Sequence, residues 1–471
     1  MKQAKKFEFP DVYALLFLIC ILAMIATWIV PAGMFERVQE GNINKVVAGT
    51  FQYVEAAPQT PWDMMQAIYQ GFVNSAGVIF MMFFCGAAIS ILEESKALST
   101  GFAMLARKLK GKEFIAIGIV MFALGLGNCA GAFGNLGIAI IAIGIFMSKS
   151  MGGDAFLGFL IIYFGLMSGM SIGFANPSIL GLAQTIAELP IFSGTPPRLI
   201  ACLANITFLY IVTVFYWKRI KKDPTKSLNY EPGMMAHTHM GFVSSEGAVD
   251  PEKAQLTKRQ IINIVFFAAG VITCIFFTIK NGWSNKQIAS WFLALGIISG
   301  IISGFSMNEI ARAFIKGCKP MVFASFMVGL ASAVSLIMTN GHVMDTIVNT
   351  LSAPLNHLGP TIGAGFMVII NAIINLFIPS GSGQAAVVMP LMVPLADLSG
   401  ITRQVAVQAF QFGDGLSNLA TPLNGPLMGC LAIAGVSFPK YFKWAIKFIL
   451  IQIVAATLYT MALQMAGWTG I

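Results

Sequence analysis

Phe412-Gly413-Asp414-Gly415-Leu416-Ser417-Asn418-Leu419-Ala420-Thr421-Pro422-Leu423-Asn424-Gly425-Pro426 lies in the middle of an otherwise apolar run, 403–436. A straight helix of that length would reach about 50 Å, well beyond the roughly 30 Å of a bilayer core. Proline removes a backbone donor and clashes with the preceding turn, so Pro422 and Pro426 interrupt the helix. The run 155–189 has the same character, with Gly173-Phe174-Ala175-Asn176-Pro177 at its centre. Both read as discontinuous helices.

The rest of the chain suits a bilayer. Of its 471 residues, 57% are hydrophobic and only 10% charged, against about 25% charged in soluble domains. Mean hydropathy is +0.78. Full crossings are expected at 13–33, 66–93, 155–189, 198–217, 259–280, 286–304, 308–335, 403–436 and 440–467. Two pairs of arms are too short to cross. Arms 114–126 and 138–148 flank Gly127 to Gly137, with Lys112 and Lys149 at their outer ends. Arms 362–377 and 385–397 flank Pro379-Ser380-Gly381-Ser382-Gly383-Gln384. Each pair reads as a re-entrant hairpin, because irregular backbone at membrane depth is tolerated only inside protein or beside a cavity. The expected fold is therefore all-α and integral to the membrane.

The formal net charge of +9 invites a nucleic-acid reading, but orientation accounts for it. With the N-terminus cytoplasmic, only Arg37, Lys45, Arg198, Lys280, Lys286 and Arg403 of the 29 Lys and Arg thread to the outside. That is the excess of basic residues found on cytoplasmic loops. The odd number of crossings leaves the C-terminus outside. No Lys or Arg is expected at midplane depth. The seven cysteines stand singly in apolar stretches with no CxxC, which argues against a metal site or a disulfide framework. His237-Thr238-His239 lies in the polar linker 218–258 and reads as solvated loop, since two histidines without a third ligand bind weakly. The first apolar run, Tyr13 to Val30, is too long for a typical signal peptide.

The halves resemble one another. Ala67 to Gly71 matches Ala313 to Gly317, and Ala175-Asn176-Pro177 matches Ala420-Thr421-Pro422. Corresponding crossings run in opposite directions. The expected organisation is a first membrane repeat with the N-terminal helix (1–217), a cytoplasmic linker (218–258) and a second, inverted repeat (259–471). Inverted repeats with paired broken helices point to a secondary transporter with a midplane site. An old duplication without functional meaning would leave a similar repeat; the matching irregular tips argue against it.

The tips and breaks supply the candidate binding residues: Gly134, Asn135, Asn176, Ser380, Gly381, Ser382, Gly383, Gln384, Thr421 and Asn424. Helix N-termini there offer unpaired N–H groups and partial positive charge, which hold a carboxylate without arginine. The Gly127 to Gly131 spacing serves helix packing as readily as function. Asp414 is the sharpest signal. It falls about 18 Å into its crossing, whereas the other acidic residues fall in loops or near helix ends. Intramembrane carboxylates face cavities and mark ion, proton or substrate paths. Asp414, Ser417 and Asn418 are the expected ion or proton coupling group, with Gln408 and Gln411 as companions. A permanently neutral acid or a structural cap is the alternative. Gly169 aligns with Asp414 in the first half, so the site is asymmetric.

Phe377 to Ala385, Phe412 to Asn418, Thr421-Pro422 and Trp28-Ile29-Val30-Pro31-Ala32-Gly33 resemble the YfcC-like branch of the anaerobic C4-dicarboxylate carrier (DcuC-like) family, within the ion transporter superfamily. That resemblance implies a scaffold domain and a transport domain whose hairpins and broken helices move together, elevator-fashion. It implies C4-dicarboxylates or basic amino acids such as arginine and ornithine as substrates. An acidic residue suits Na⁺, H⁺, an ammonium or a guanidinium group. The expected function is ion-coupled symport or exchange of a small carboxylate-bearing metabolite, leaning to amino-acid antiport. C4-dicarboxylate carriage and a passive channel are the alternatives. An enzyme is not expected: no HExxH and no histidine inside a crossing is present. The expected partners are a small-molecule substrate and the lipid bilayer, with a homodimer left open and no nucleic acid. No cofactor beyond Na⁺ or H⁺ is expected.

Overall fold

The computed structural model describes residues 12–40, 43–47, 49–98, 100–101, 104, 111–129, 136–230, 255–281 and 283–470. Helix α1 (Val12–Ile29) is followed by four short strands, β1 (Gly33–Met34), β2 (Arg37–Glu40), β3 (Ile43–Val46) and β4 (Gln52–Tyr53). They form two antiparallel pairs, β1 with β4 and β2 with β3, the latter in register Arg37 to Val46. These strands correct the all-α expectation locally. Asp345 ties them down: Arg37 Nη2 donates to both its carboxylate oxygens at 2.8 Å, and Phe35 N–H donates at 3.0 Å.

The expected crossing 66–93 is two helices, α2 (Pro61–Asn74) and α3 (Ala76–Glu94), meeting at Ser75. Thr60 and Asp63 form a capping box at the start of α2, satisfying backbone donors the first turn leaves free. Helices α4 (Glu113–Asn128) and α5 (Leu136–Ser150) occupy the expected arms 114–126 and 138–148, and residues 130–135 between them lie outside the described residues. The following run, α6 (Ala155–Met170), contains a π turn at Leu160–Phe164. It stops at Ser171. The chain resumes as a π turn, Pro177–Gly181, leading into α7 (Leu182–Ile186). Helix α8 (Thr195–Lys222) closes the first half.

The second half begins with α9 (Lys258–Asn281), α10 (Asn285–Ser303) and the unbroken α11 (Met307–Asn340), followed by the short α12 (Met344–Ser352). Helices α13 (Pro360–Asn375) and α14 (Gly381–Leu398) occupy the expected arms 362–377 and 385–397, joined by a short link. Helices α15 (Arg403–Ser417) and α16 (Gly425–Ile433) are the pieces of the second broken run, and α17 (Phe438–Met465) is last.

Glycine sets how closely these rods approach. A Cβ on Gly86 would lie 2.8 Å from Gly317 O, and one on Gly317 would lie 2.5 Å from Gly86 O. Gly71 meets Gly329 and Ala333 in the same way, so α2 and α3 run antiparallel along α11. Small residues at helix contacts are how bundles pack in lipid, where burial of apolar surface gives little driving force. Helices α3, α8, α10 and α17 are long and apolar enough to cross a bilayer. Phe215, Ile272, Val454 and Leu458 are more than half exposed, an outward apolar surface that suits hydrocarbon rather than water.

Candidate functional site

The two breaks meet. Ser171 Oγ donates to Gly415 O at 2.9 Å, and Gln411 donates to Gly173 O. The Gly-Asp-Gly triplet makes this possible. A Cβ on Gly415 would lie 2.4 Å from Ser171 Cα, and one on Gly413 would lie 2.4 Å from Asn371 Cβ and 2.7 Å from Val368 O. Asp414 is thus held where α13 closes on one side of α15 and the first break on the other. The C-terminal end of α4 joins them: Ala175 N–H donates to Cys129 O at 3.4 Å. Cys129 and Cys202, isolated in sequence, also meet here, their sulfurs 2.9 Å apart and both free.

Asp414 is 2% exposed. Its Oδ1 accepts from Asn418 Nδ2 at 3.2 Å. Asn375 Nδ2 lies 3.1 Å from Asp414 O, 2.8 Å from Ser417 Oγ and 3.1 Å from Asn418 Oδ1. Asn424 Nδ2 donates to Asn418 Oδ1 at 3.1 Å, and Ser417 Oγ donates to Gly413 O at 2.6 Å. None of the described ion pairs involves Asp414. The first residue of α14 reaches it: a Cβ on Gly381 would lie 2.7 Å from Asp414 Oδ2 and 2.7 Å from Ile179 Cδ1. The positive end of the α14 dipole therefore abuts the carboxylate. Three buried amide oxygens in this region have no hydrogen-bond partner, Asn375 Oδ1, Gln384 Oε1 and Gln411 Oε1.

The candidate residues divide accordingly. Asp414, Ser417, Asn418 and Asn424 form one connected network, and Gly381 touches it. Ser380 and Ser382 are exposed at the hairpin tip, and Ser380 caps α14 by accepting from Gly383 N–H at 3.3 Å. Gly383 is half-buried beside them. Gln384 donates to Asn371 O at 3.0 Å, one helical turn behind the tip. Thr421 Oγ1 accepts from Leu423 N–H and shapes the second break. Asn176 Oδ1 accepts from Ile179 N–H at 3.3 Å, turning the chain after the first break. Gly134 and Asn135 lie outside the described residues.

Asp154 and Asp345 stand at helix starts, as expected for acids outside the crossings, yet are only 3% and 4% exposed. Arg198, near the start of α8, is completely buried. Asn371 and Asn375 were not anticipated. Two amides four residues apart in an apolar arm were the available signal, because such a pair shares one helix face.

A family model described as DcuC, C4-dicarboxylate anaerobic carrier, matches residues 9–465. The chain belongs to this family. The relative named "Putative basic amino acid antiporter YfcC", from Escherichia coli (strain K12), is 28% identical over 99% of this chain and 98% of its own. A Haemophilus influenzae protein described as uncharacterized is 24% identical over 95% of each chain. Among solved structures, Neisseria gonorrhoeae MtrF, described with a class of antimetabolite efflux pumps, aligns at a TM-score of 0.43 and 15% identity, covering 97% of this chain and 95% of that one. The Alcanivorax borkumensis YdaH transporter aligns at 0.40 and 14%, covering 98% and 100%. Membership of DcuC makes the chain a multi-pass membrane protein of a transporter family, not an enzyme.

Proposed function

We propose that the chain is a secondary active transporter of a small carboxylate-bearing metabolite, coupled to Na⁺ or H⁺ at Asp414. One observation carries the reading: two interrupted helices and the start of α14 converge on one buried carboxylate that, among the described residues, no cation neutralises. A buried charge is tolerated only when something pairs with it. A transported cation or proton is such a partner, and intramembrane acids characteristically mark such paths. The unpaired oxygens of Asn375 and Gln411 favour Na⁺ over H⁺, because a metal cation accepts several oxygen donors at once whereas a proton on Asp414 satisfies one.

In this reading 1–217 and 259–471 are inverted repeats, joined by the cytoplasmic linker 218–258, with the N-terminus inside and the C-terminus outside. The hairpins are re-entrant and move with the broken helices in an elevator step. Ser380 to Gln384, Asn176, Thr421 and Asn424 are the substrate-binding elements, with Gly134 and Asn135 at the other tip. Asp414, Ser417 and Asn418 couple the ion. The preferred substrate is a basic amino acid taken by antiport, which the name of the E. coli relative also supports. The family description favours a C4-dicarboxylate as the second reading. Counterflow in proteoliposomes tests the class. Internal arginine, ornithine or succinate should accelerate uptake of labelled substrate. Uptake insensitive to internal substrate would mean a passive channel.

A further inference from the structure

A second polar cluster lies on α15, two turns before Asp414, and contains a cation that no acid neutralises among the described residues. Arg198, in the first turns of α8, is 0% exposed. Its Nε donates to Gln408 Oε1 at 2.9 Å and its Nη2 to Gln404 Oε1 at 2.9 Å. The Trp468 ring lies over the guanidinium, 5.3 Å from its carbon. None of the described ion pairs includes Arg198. A guanidinium has only donors, so both amides must turn their oxygens toward it. Gln404 then donates its nitrogen to Ser193 Oγ at 2.5 Å. Gln408 Nε2 has no acceptor, and neither has Arg198 Nη1. Two orphan donors on hydrogen-bonded neighbours, one of them cationic, leave unfilled capacity for an acceptor-bearing anion. A bare structural staple explains this poorly, because a buried, incompletely paired charge is costly.

We propose that Arg198 and Gln408 receive a carboxylate of the transported metabolite. This rests on the carrier reading above and names the group the carrier recognises. The two clusters are linked along α15 by Gln404, Gln408, Gln411, Asp414 and Asn418, spaced four, three, three and four residues apart. All of them are buried. The polarity of the unpaired atoms reverses along this row. At the Arg198 end they are donors; near Asp414, Gln411 Oε1 and Asn375 Oδ1 are acceptors. Gln408 and Asp414 are about 9 Å apart along the helix axis. A zwitterionic metabolite with a cationic side chain meets both ends, its carboxylate at Arg198 and its cationic group at Asp414 in exchange for the coupling ion, as antiport requires. The C-terminal tail covers the Arg198 end. Gly194 N–H donates to Gly470 O at 3.1 Å, and Thr402 Oγ1 donates to Trp468 O at 2.7 Å. Access from that side therefore requires Trp468 to move.

Equilibrium binding to the full-length protein in nanodiscs tests the proposal, with arginine, agmatine (arginine without its carboxylate) and succinate as probes. Wild type should bind arginine at least about tenfold tighter than agmatine, about 1.4 kcal/mol. Arg198→Gln should bring arginine down to the agmatine level. Gln408→Glu places a carboxylate against Arg198 and occupies the site internally. It should cause the same loss while melting no lower than wild type, which separates recognition from misfolding. If succinate is the ligand, both variants should lose it equally. Wild-type preference retained in both variants, or no preference for arginine over agmatine in a wild type that does not bind succinate, overturns the carboxylate site and leaves the carrier reading standing. Binding of neither arginine nor succinate by wild type overturns both.

Discussion

Gly415→Ala should damage the protein more than any property of alanine as a helix former suggests. The new Cβ would lie 2.4 Å from both Cα and O of Ser171, and 2.7 Å from its carbonyl carbon. Ordinary carbon–carbon contacts lie near 3.5–4.0 Å, so the overlap is about 1 Å and the obstruction is backbone. Relief requires α15 and the first break to separate, and the bond from Ser171 Oγ to Gly415 O is lost. Overpacking costs about 1–3 kcal/mol and the hydrogen bond about 1 kcal/mol. Helix propensity returns about 0.5–1 kcal/mol. The net is a destabilisation of roughly 1–3 kcal/mol by these figures. Gly77→Ala is the control: its Cβ would meet Asn285 at an ordinary 3.5 Å, so it should be neutral or stabilising. Thermal melts of both variants in the same detergent give the comparison. Gly415→Ala melting no lower than Gly77→Ala would refute the close approach of the two breaks. Substrate affinity should fall further than stability does, because the displacement occurs beside Asp414.

Ser382→Cys places a thiol on the exposed hairpin tip, and saturating substrate should slow its alkylation; equal labelling rates with and without substrate would remove the tip from the binding site. Asp154 caps α6 just before that run begins. Burial holds its carboxyl above the ordinary 3.8, against opposing hydrogen bonds from Ser227 and Tyr216. Folding therefore tightens its proton, so the stability it contributes is complete below about pH 4 and is lost as pH rises through the folded value. Asp154→Asn should melt with a shallower decline above pH 4 than wild type; an unchanged slope would exclude Asp154 as the source.

The helix boundaries were legible because lipid imposes a length and proline and glycine punctuate it. The arms expected at 114–126 and 138–148 are helices Glu113–Asn128 and Leu136–Ser150, and the breaks in 155–189 and 403–436 fall at the quoted Gly, Asn and Pro residues. The strands between residues 33 and 53 escaped because a reading tuned to 20-residue apolar spans cannot register pieces of two to four residues. Asp414 stood out through position alone. Gly381 was grouped with two serines, yet Ser380 is occupied in capping α14, and the absence of a side chain at 381 is what brings that helix end to the carboxylate. Arg198 illustrates the limit. Its place near a helix end gives no sign of burial, and residues more than 200 positions away, Gln404, Gln408 and Trp468, surround its guanidinium. Tertiary packing of that kind leaves no trace in local sequence.

Asp414→Asn removes the charge while keeping the shape and an acceptor oxygen for Asn418. Uptake driven by an imposed Na⁺ or pH gradient should be measured for this variant beside wild type in proteoliposomes, with matched melting temperatures confirming the fold. The expected result is loss of gradient-driven accumulation in a protein that melts like wild type. Wild-type accumulation by Asp414→Asn would contradict a coupling carboxylate at the meeting point of the broken helices.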